Sequence, residues 1–374
     1  MTVQIIPSGV RSSGITVSSG NELEVLSGGI VQSDTILSGG LIVLSSGAVL
    51  SGATVSSGGA ISGAGALEGT TYDYGLISGV SAGISEDFVA GGVIDVESGG
   101  VISNVIAAAQ AIQILSGGAG YGTVIDNSID PAYTYLQVDA GGLASGTVIS
   151  NGYFIIGGVA KNTVIDGYYS INRFQPDVAG YDAVESGGVA FNTVVEDGGQ
   201  ETVYAGGLTS AFEVNSGGEE VISSGGVADG GVINSGATLI LSSGATASGV
   251  TISSSGTADM DLVISSGTTL GLSSQISATE VLNGVTLLSG AVLKPQLVTV
   301  LNGGALDLAS GGVVTEGATV SSGGTISGAG LLEWFNYDYG LIAGASVGAS
   351  SIFGGSNLIV ESGGVISNII DEDG

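Results

Sequence analysis

The sequence contains no cysteine and no histidine. Disulfides, thiolate zinc sites and cysteine nucleophiles are therefore excluded, and so are catalytic triads and metal centres that need an imidazole. Basic residues are almost as scarce: Lys and Arg together number 4, against 34 Asp and Glu, which gives a formal net charge of −30. Without a basic patch, the chain is not expected to bind nucleic acid or anionic lipid.

Proline is also rare, with 4 residues, and no run reaches the roughly 18 apolar residues that a membrane-spanning helix requires. Glycine, in contrast, supplies 70 residues, and hydrophobic side chains make up 43% of the chain. A chain this apolar can bury a core, which argues against intrinsic disorder. The segment from Met1 to Pro7 has neither the cationic nor the long apolar stretch of a secretory signal, so no export route is evident from the sequence.

A short repeat runs through most of the sequence, marked by Ser-Gly-Gly corners or close variants. Between residues 186 and 244 the first glycines of successive corners are separated alternately by 11 and 8 residues, which gives a period of 19. Short β-branched or aliphatic runs, such as Leu41–Leu44 and Thr238–Leu241, lie between the corners. Such runs between turn residues are typical of β-strands. The corner glycines are Gly187, Gly198, Gly206, Gly217, Gly225, Gly236 and Gly244.

The constant period predicts an all-β fold, a parallel β-solenoid (β-helix) in which each coil of about 19 residues pairs in register with the next. Because parallel β-connections are almost always right-handed, we expect a right-handed coil. Alternate residues should point inward and stack into aliphatic columns, while polar residues face solvent. At this period the chain would form about 20 coils. A barrel or a sandwich would also contain many short strands, but neither accounts for the strict period.

A longer duplication overlies the short repeat. Residues 37–106 recur at 301–370, with an offset of 265 residues in the first blocks and 264 in the last. We therefore interpret residues 1–374 as a single solenoid whose two end regions follow one structural pattern. The best-preserved blocks are Tyr72–Ile77 with Tyr337–Ile342, and Glu97–Asn104 with Glu361–Asn368.

The stretch from 107 to 181 departs from the clean period and is rich in aromatic residues. The strand motif survives inside it, as in Gly122–Ile125 and Asn162–Ile165, so we expect the same solenoid with longer loops. Tyrosine and tryptophan faces can stack on sugar rings, and an aromatic surface with few basic residues suits neutral surface glycans. The alternative is that these rings cap the core or cover the loops. The candidate glycan-binding residues are Tyr133, Tyr135, Tyr153, Tyr168, Tyr169 and Trp334.

The Ser-Gly-Gly corners, the 19-residue period and the Gly/Asn-Thr-Val-Ile strand starts resemble the AIDA-type repeats of bacterial autotransporter passenger regions. The resemblance covers nearly the whole chain and is most faithful at residues 10–60 and 185–330. It implies a β-helix that is exported to the cell surface or the extracellular space and acts in adhesion, aggregation or biofilm formation. Signal-less proteins that join such repeats to a self-cleaving Hint domain are similar as well.

Serines of the repeats are O-heptosylated in some members of this family, so the resemblance implies corner serines as glycosylation candidates. A serine at a tight turn is also an ordinary turn residue, and this alternative stays open. From the repeats and the resemblance together we expect a non-enzymatic extracellular structural protein that mediates adhesion, self-association or end-to-end assembly into a filament or matrix. The candidate serines are Ser27, Ser57, Ser186 and Ser224.

A carbohydrate-active enzyme is the rival class, because some β-helices are polysaccharide lyases or hydrolases. Paired carboxylates are the chemistry available for hydrolysis, whereas a lyase would also need basic residues, of which the chain has 4. Acidic residues on solvated turns are the simpler interpretation, so we predict no catalytic site, no metal centre and no cofactor. Glu219–Glu220 and Asp371–Asp373 could hold Ca²⁺ loosely. The acidic candidates are Asp73, Asp126, Asp130, Asp166, Asp177 and Asp338.

The ends of the predicted solenoid suggest self-assembly. A terminal coil exposes a row of unpaired backbone groups, which solenoids usually cap with a polar helix or loop. Both ends have strand-like sequences, so we expect the chain to bind a second copy head to tail, in a contact that propagates into filaments. An adhesin-like monomer is the alternative. The candidate interface residues are Val3, Ile5, Ile6, Val365, Ile366, Ile369 and Ile370.

Overall fold

A computed structural model describes residues 2–83, 92–126, 134–167, 180–348 and 356–371. Within these ranges the chain forms short β-strands joined by turns, and none of it is helical. A helix long and apolar enough to cross a membrane is accordingly not found in the described part of the chain. The chain divides into two compact units, Met1–Glu213 with Gly225–Val227, and Val214–Ser224 with Ala228–Gly374.

The strands of both units are short, between two and nine residues. Those of the first unit are Thr2–Ile6, Arg11–Ser13, Thr16–Val17, Asn21–Val25, Ile30–Ile36, Leu41–Leu44, Val49–Val55, Ala60–Gly63, Ala66–Asp73, Leu76–Ser78, Ser81–Ala82, Val93–Val96, Val101–Ser103, Ile106–Ala107, Ala111–Ile114, Ala119–Tyr121, Val124–Asp126, Tyr135–Val138, Leu143–Ser145, Val148–Ile156, Val159–Lys161, Val164–Ile165, Gly180–Val184, Val189–Phe191, Val194–Val195, Gln200–Val203 and Leu208–Val214. Those of the second unit are Glu219–Ile222, Val227–Ile233, Thr238–Leu241, Thr246–Ile252, Thr257–Ile264, Thr269–Leu272, Glu280–Leu282, Val285–Leu287, Val292–Val300, Ala305–Leu308, Val313–Val314, Gly317–Val320, Thr325–Ser327, Leu331–Leu332, Phe335–Asp338, Leu341–Ala343, Ser346–Val347, Asn357–Val360, Val365–Ser367 and Ile370–Asp371.

Strand pairing in the first unit is parallel and follows the repeat. Asn21–Val25 pairs with Thr2–Ile6 on one side and with Leu41–Leu44 on the other, so residues 19 positions apart lie side by side. Neighbouring strands in a sheet are about 4.8 Å apart, which is therefore the rise of one coil. This pairing confirms the predicted parallel β-solenoid.

The core consists of columns of inward-pointing aliphatic side chains. Leu23 pairs with Ile42, which pairs with Ile61, and all three are at most 1% exposed. Their neighbours Glu22 and Glu24 point outward, as the two-residue period of a strand requires. Burial of each aliphatic side chain contributes roughly 1.5–3 kcal/mol, so repetition of the column stabilises the coil stack.

The second unit uses the same parallel pairing but contains longer coils. Glu219–Ile222 pairs with Thr238–Leu241 at an interval of 19 residues. Thr257, in contrast, pairs with Val292, an interval of 35 residues, and Thr269 pairs with Ala305, an interval of 36. Because of such coils the chain makes about 17 turns, fewer than the 20 expected from a uniform period.

A β-hairpin interrupts the repeat in the second unit. Glu280–Leu282 and Val285–Leu287 pair in the antiparallel sense. The two residues between them, Asn283 and Gly284, have φ angles of 50° and 82°. Positive φ at both central residues is the requirement of a type I′ turn, which Asn-Gly fulfils well. The hairpin falls inside 185–330, where an uninterrupted repeat was expected.

Candidate functional site

The coil formed by residues 356–371, called the edge coil below, has the clearest open surface of the second unit. Its strands Asn357–Val360 and Val365–Ser367 pair with Phe335–Asp338 and Leu341–Ala343. On their other side, no strand of the described residues pairs with them. The edge coil therefore presents a parallel strand edge, which is a ready template for another strand.

The duplication shows what normally covers a coil of this sequence. Ile366 of the edge coil corresponds to Ile102, and Val360 corresponds to Val96. In the first unit Ile102 and Val96 are fully buried, because the strands Ala111–Ile114 and Ala119–Tyr121 stack on them. In the edge coil, Ile366 is 47% exposed and Val360 is 43% exposed. The edge coil thus displays core side chains that elsewhere lie beneath a further coil.

The predicted interface residues at this end fall into two groups. Ile366 and Ile369 correspond to the buried Ile102 and Val105 and belong to the stacking surface. Val365 and Ile370 occupy outward positions instead, because the half-exposed Val101 and the 40% exposed Ile106 occupy these positions in a covered coil. All seven predicted residues lie in the described ranges, and their role in assembly stays a prediction.

At the other end, the strand Thr2–Ile6 pairs with Asn21–Val25 along its full length. Ile6 lies in the inward column of Val25 and is 4% exposed, so it already belongs to the core. Val3 and Ile5 are 48% and 53% exposed because they point outward, as do their register partners Glu22 and Glu24. Among the predicted residues of this strand, the backbone edge is thus a better docking feature than the side chains.

Three tyrosines of the first unit form an outward column. Tyr135 pairs with Tyr153, which pairs with Tyr181. The rings of Tyr153 and Tyr181 meet edge to face at 5.9 Å, and the Tyr181 hydroxyl lies 2.6 Å from that of Tyr204. Burial is the main cause that raises the pKa of Tyr181 to about 12. The structure therefore brings Tyr135 and Tyr153 together, whereas Tyr133, Tyr168 and Tyr169 lie outside the described residues.

Trp334, the other aromatic candidate, belongs to the second unit and has an unusual backbone. Its φ angle is 59°, and its side chain is 55% exposed. The duplicated position in the first unit is Gly69, with a φ angle of 63°. A bulky side chain at positive φ costs on the order of 1–3 kcal/mol. The chain therefore holds an exposed tryptophan at a position whose backbone favours glycine, and the exposed Phe335 lies beside it.

The corner serines are stacked against the glycines of the following corners. A β-carbon added to Gly47 would lie 2.8 Å from the Ser27 hydroxyl, and Ser186 and Ser224 stand 2.7 Å from the same point on Gly206 and Gly244. Ser27, Ser57, Ser186 and Ser224 are all exposed residues that begin turns. This geometry fits a turn serine, and their glycosylation stays a prediction.

The acidic residues do not form an accessible pair of carboxylates in the described ranges. Asp73 and Asp338 are fully buried, and each accepts a 2.9 Å hydrogen bond from the backbone N–H two residues later. Asp126 and Asp166 are exposed, and Asp130 and Asp177 lie outside the described residues. A shallow cleft of about 290 Å³ in the second unit has Asp261 as its ionisable lining residue. A hydrolase that needs two facing carboxylates is not favoured by this arrangement.

The suggested calcium-binding runs do not converge on one point. Glu220 is fully buried, whereas Glu219 points to the opposite face of its strand. Asp371 is exposed, and Glu372 and Asp373 lie outside the described residues. In the described part of the chain no three Asp or Glu side chains are grouped so that they could hold a metal ion.

A column of buried acids went unnoticed in the sequence. Asp182 and Glu201 pair in register and are fully buried, in positions equivalent to the aliphatic Leu23 and Ile42. Burial, followed by the charge of Glu201, raises the pKa of Asp182 well above its usual value. Burial likewise raises the pKa of Glu201. The 19-residue spacing of Asp182, Glu201 and Glu220 was the available signal.

Comparison with known proteins adds little to this description. No protein-family model matches the chain, and no curated protein matches it. Among solved structures it is similar to the crystal structure of a TibC-catalyzed hyper-glycosylated TibA55-350 fragment, with 23% sequence identity. The match covers 98% of this chain and 94% of that one, with a TM-score of 0.30. At this score the two structures do not superimpose as wholes, and the fold of this chain is established by its own strand pairing.

Proposed function

We propose that the chain is an extracellular, non-enzymatic structural protein that associates with itself. The edge coil of one copy stacks on the strand Thr2–Ile6 of a second copy. The observation that carries this proposal is the exposure of Ile366, whose duplicate Ile102 is fully buried beneath another coil. The resemblance of the repeats to autotransporter passengers supports a location at the bacterial surface or outside the cell, and a role in adhesion or matrix assembly.

The stacking should be head to tail. The strands of the edge coil and the strand Thr2–Ile6 both belong to parallel ladders, and a second copy in the same orientation continues that ladder without change of pattern. Two edge coils facing each other would have to pair in the antiparallel sense. A head-to-tail contact is heterologous, so it leaves one free end at each step and extends into a filament.

Replacement of Ile366 by Asp should abolish this association. The substitution places a charge in the apolar column that the second copy must cover, and a buried unpaired carboxylate is strongly unfavourable. In sedimentation velocity, the wild-type protein should show a sedimentation coefficient that rises with concentration, and Ile366→Asp should remain at the monomer value. Electron microscopy should show filaments for the wild type alone.

Val365→Asp is the matched control, because Val365 is adjacent, has a similar exposure of 55%, and points outward. This variant should associate like the wild type. Equal loss of association in both variants would indicate that added charge, and not the inward column, is responsible. Wild-type protein that stays monomeric at every concentration, or that stops at dimers, would contradict head-to-tail stacking.

Binding of neutral glycans is a second candidate function, favoured by the backbone of Trp334. An exposed tryptophan held at positive φ is a strained feature of the kind that accumulates at ligand sites. Tryptophan offers a large flat apolar face, and the neighbouring Phe335 is 49% exposed. The ligand would be a neutral saccharide, because the charge of −30 disfavours acidic ones.

Trp334→Gly should separate binding from stability, because glycine is the residue found at the duplicated position Gly69. We expect the thermal midpoint to stay constant or to rise, since glycine removes the strain at positive φ. Binding to a panel of neutral oligosaccharides (glucan, mannan and galactan fragments), measured by calorimetry, should be lost. Trp334→Phe retains a ring and should keep most of the affinity. Unchanged binding by Trp334→Gly would refute this role.

A further inference from the structure

The interior of the first unit contains a cluster of six oxygen atoms, called the inner oxygen cluster below. Four are the carboxyl oxygens of Asp182 and Glu201, and two are the hydroxyl oxygens of Thr193 and Thr209. All four residues are at most 1% exposed. None of the six oxygens has a hydrogen-bond partner of normal geometry. Buried polar atoms are almost always satisfied in native proteins, so six together require an explanation.

The four residues face one region because of the way the coil is built. Asp182 and Glu201 are register partners on adjacent coils, with side chains on the same inward face. The hydroxyls of Thr209 and Thr193 lie close enough to the Glu201 carboxylate to favour its ionised form, which partly offsets the rise in its pKa that burial causes. The carboxylates and hydroxyls therefore converge from three different strands, Gln200–Val203, Leu208–Val214 and Gly180–Val184, and from the turn residue Thr193.

Neutral protein groups do not compensate these two carboxylates. Two ionised carboxylates on adjacent coils repel each other, and each loses its hydration when buried. The basic residues described in the first unit, Arg11 and Lys161, are both exposed at the outer surface. The charge of the pair must therefore be removed by protons or balanced by a cation that enters the interior.

We infer that the inner oxygen cluster binds one calcium ion. Ca²⁺ takes six to eight oxygen ligands, accepts carboxylates in one- or two-oxygen modes, and tolerates irregular geometry. The cluster supplies six oxygens, and its two carboxylates match the charge of a divalent ion. Mg²⁺ fits less well, because it demands near-ideal octahedral geometry and retains several of its waters. Since the cluster is sealed from solvent, the ion is captured as the coils close over it.

The test uses the full chain, unfolded in denaturant and refolded either with 1 mM CaCl₂ or with EDTA. After gel filtration in metal-free buffer at pH 7.5, elemental analysis should find one Ca²⁺ per chain in the protein refolded with calcium. Its thermal midpoint should exceed that of the EDTA-refolded protein by roughly 5 °C or more. At pH 5 protons compete for the carboxylates, so the bound calcium and the difference in midpoint should both decrease.

Asp182→Asn combined with Glu201→Gln removes both charges with little change in shape. This double variant should bind no calcium, and its thermal midpoint should be the same with calcium and with EDTA. Asp73→Asn is the control, because it also removes a fully buried carboxylate of the first unit and lies away from the cluster in sequence. It should retain one Ca²⁺ per chain.

Several results would overturn the inference. Wild-type protein without calcium after refolding in CaCl₂ would do so, as would calcium that persists in the double variant. A wild-type midpoint that rises at low pH but ignores calcium would show that the pair is held by protons instead. Because the first of these results needs only the wild type, the inference stays testable even if the double variant fails to fold.

Discussion

Acidification from pH 8 to pH 5 should raise the free energy of unfolding, against the usual trend in which acid destabilises proteins. The reason is that the shifted carboxyl groups are buried without basic partners. Burial raises the pKa of Asp73 from 3.8 to about 7 and that of Asp259 from 3.8 to about 6. Burial also raises the pKa of Asp34 and Asp338. Ordinary salt-bridged carboxylates shift in the opposite direction.

The sign follows from proton linkage. A group whose pKa is higher in the folded state holds its proton more tightly there, so it stabilises the fold at low pH. For Asp73 this contribution is fully present below about pH 4, the unfolded value, and is lost as the pH rises through 7. A rise of about three units corresponds to roughly 4 kcal/mol when the group is fully ionised. Asp73 is fully buried, so solvent does not screen this cost.

Denaturant unfolding at several pH values, with EDTA present throughout, measures the effect. Asp73→Asn is the informative variant, because its amide oxygen can still accept the hydrogen bond from Gly75 N–H but cannot ionise. This variant should be more stable than the wild type at pH 8 and should show a smaller gain on acidification. A wild type that loses stability between pH 8 and pH 5 would contradict the expectation.

Surface repulsion needs a separate control, because a net charge of −30 also favours the acidic condition. Repulsion between exposed charges is screened within about 8 Å at physiological ionic strength, and within about 3 Å at 1 M salt. The cost of burying Asp73 is not screened in this way. The pH dependence removed by Asp73→Asn should therefore survive in 1 M salt, whereas the remaining dependence should weaken.

The fold was predictable because one signal was repeated many times. Strand segments such as Leu41–Leu44 are ambiguous singly, but corners at constant intervals require each coil to match the next. The register of Asn21–Val25 with Leu41–Leu44 follows directly from the period of 19. The corner glycines were also predictable, and Gly187 has a φ angle of 83°. Long-range parallel pairing, usually the hardest feature to infer, is here a consequence of the repeat.

The side on which a residue lies was harder to predict. In the sequence Val365-Ile366, both residues are β-branched and apolar, yet Ile366 belongs to the inward column and Val365 to the outer surface. Hydrophobicity cannot separate them, and only alignment with the buried Ile102 does so. The acids at 182 and 201 were missed for the same reason, because acidic residues are expected to face water. The hairpin at Asn283-Gly284 was detectable from its turn residues, but the surrounding repeat concealed it.

Gly188→Ala should destabilise the protein far more than Gly187→Ala, although the two glycines are adjacent in one Ser-Gly-Gly corner. A β-carbon at Gly187 would meet nothing within 4 Å, so its substitution costs only the left-handed backbone strain at φ of 83°, about 1–2 kcal/mol. A β-carbon at Gly188 would lie 1.9 Å from the carbonyl oxygen of Ile156. That distance is far below van der Waals contact, so the backbone itself has to move.

The backbone around Gly188 has little freedom to make room. The Ile156 carbonyl accepts a 2.9 Å hydrogen bond from Glu185 N–H, and Gly188 N–H donates a 2.8 Å hydrogen bond to the Glu185 carbonyl. Displacement of Ile156 would therefore break the bond that joins this corner to the preceding coil. We expect Gly188→Ala to cost about 3 kcal/mol or more, the range of severe single substitutions. Denaturant unfolding of both variants measures the difference, and comparable stabilities would show that close packing of the coils does not determine the second glycine of the corner.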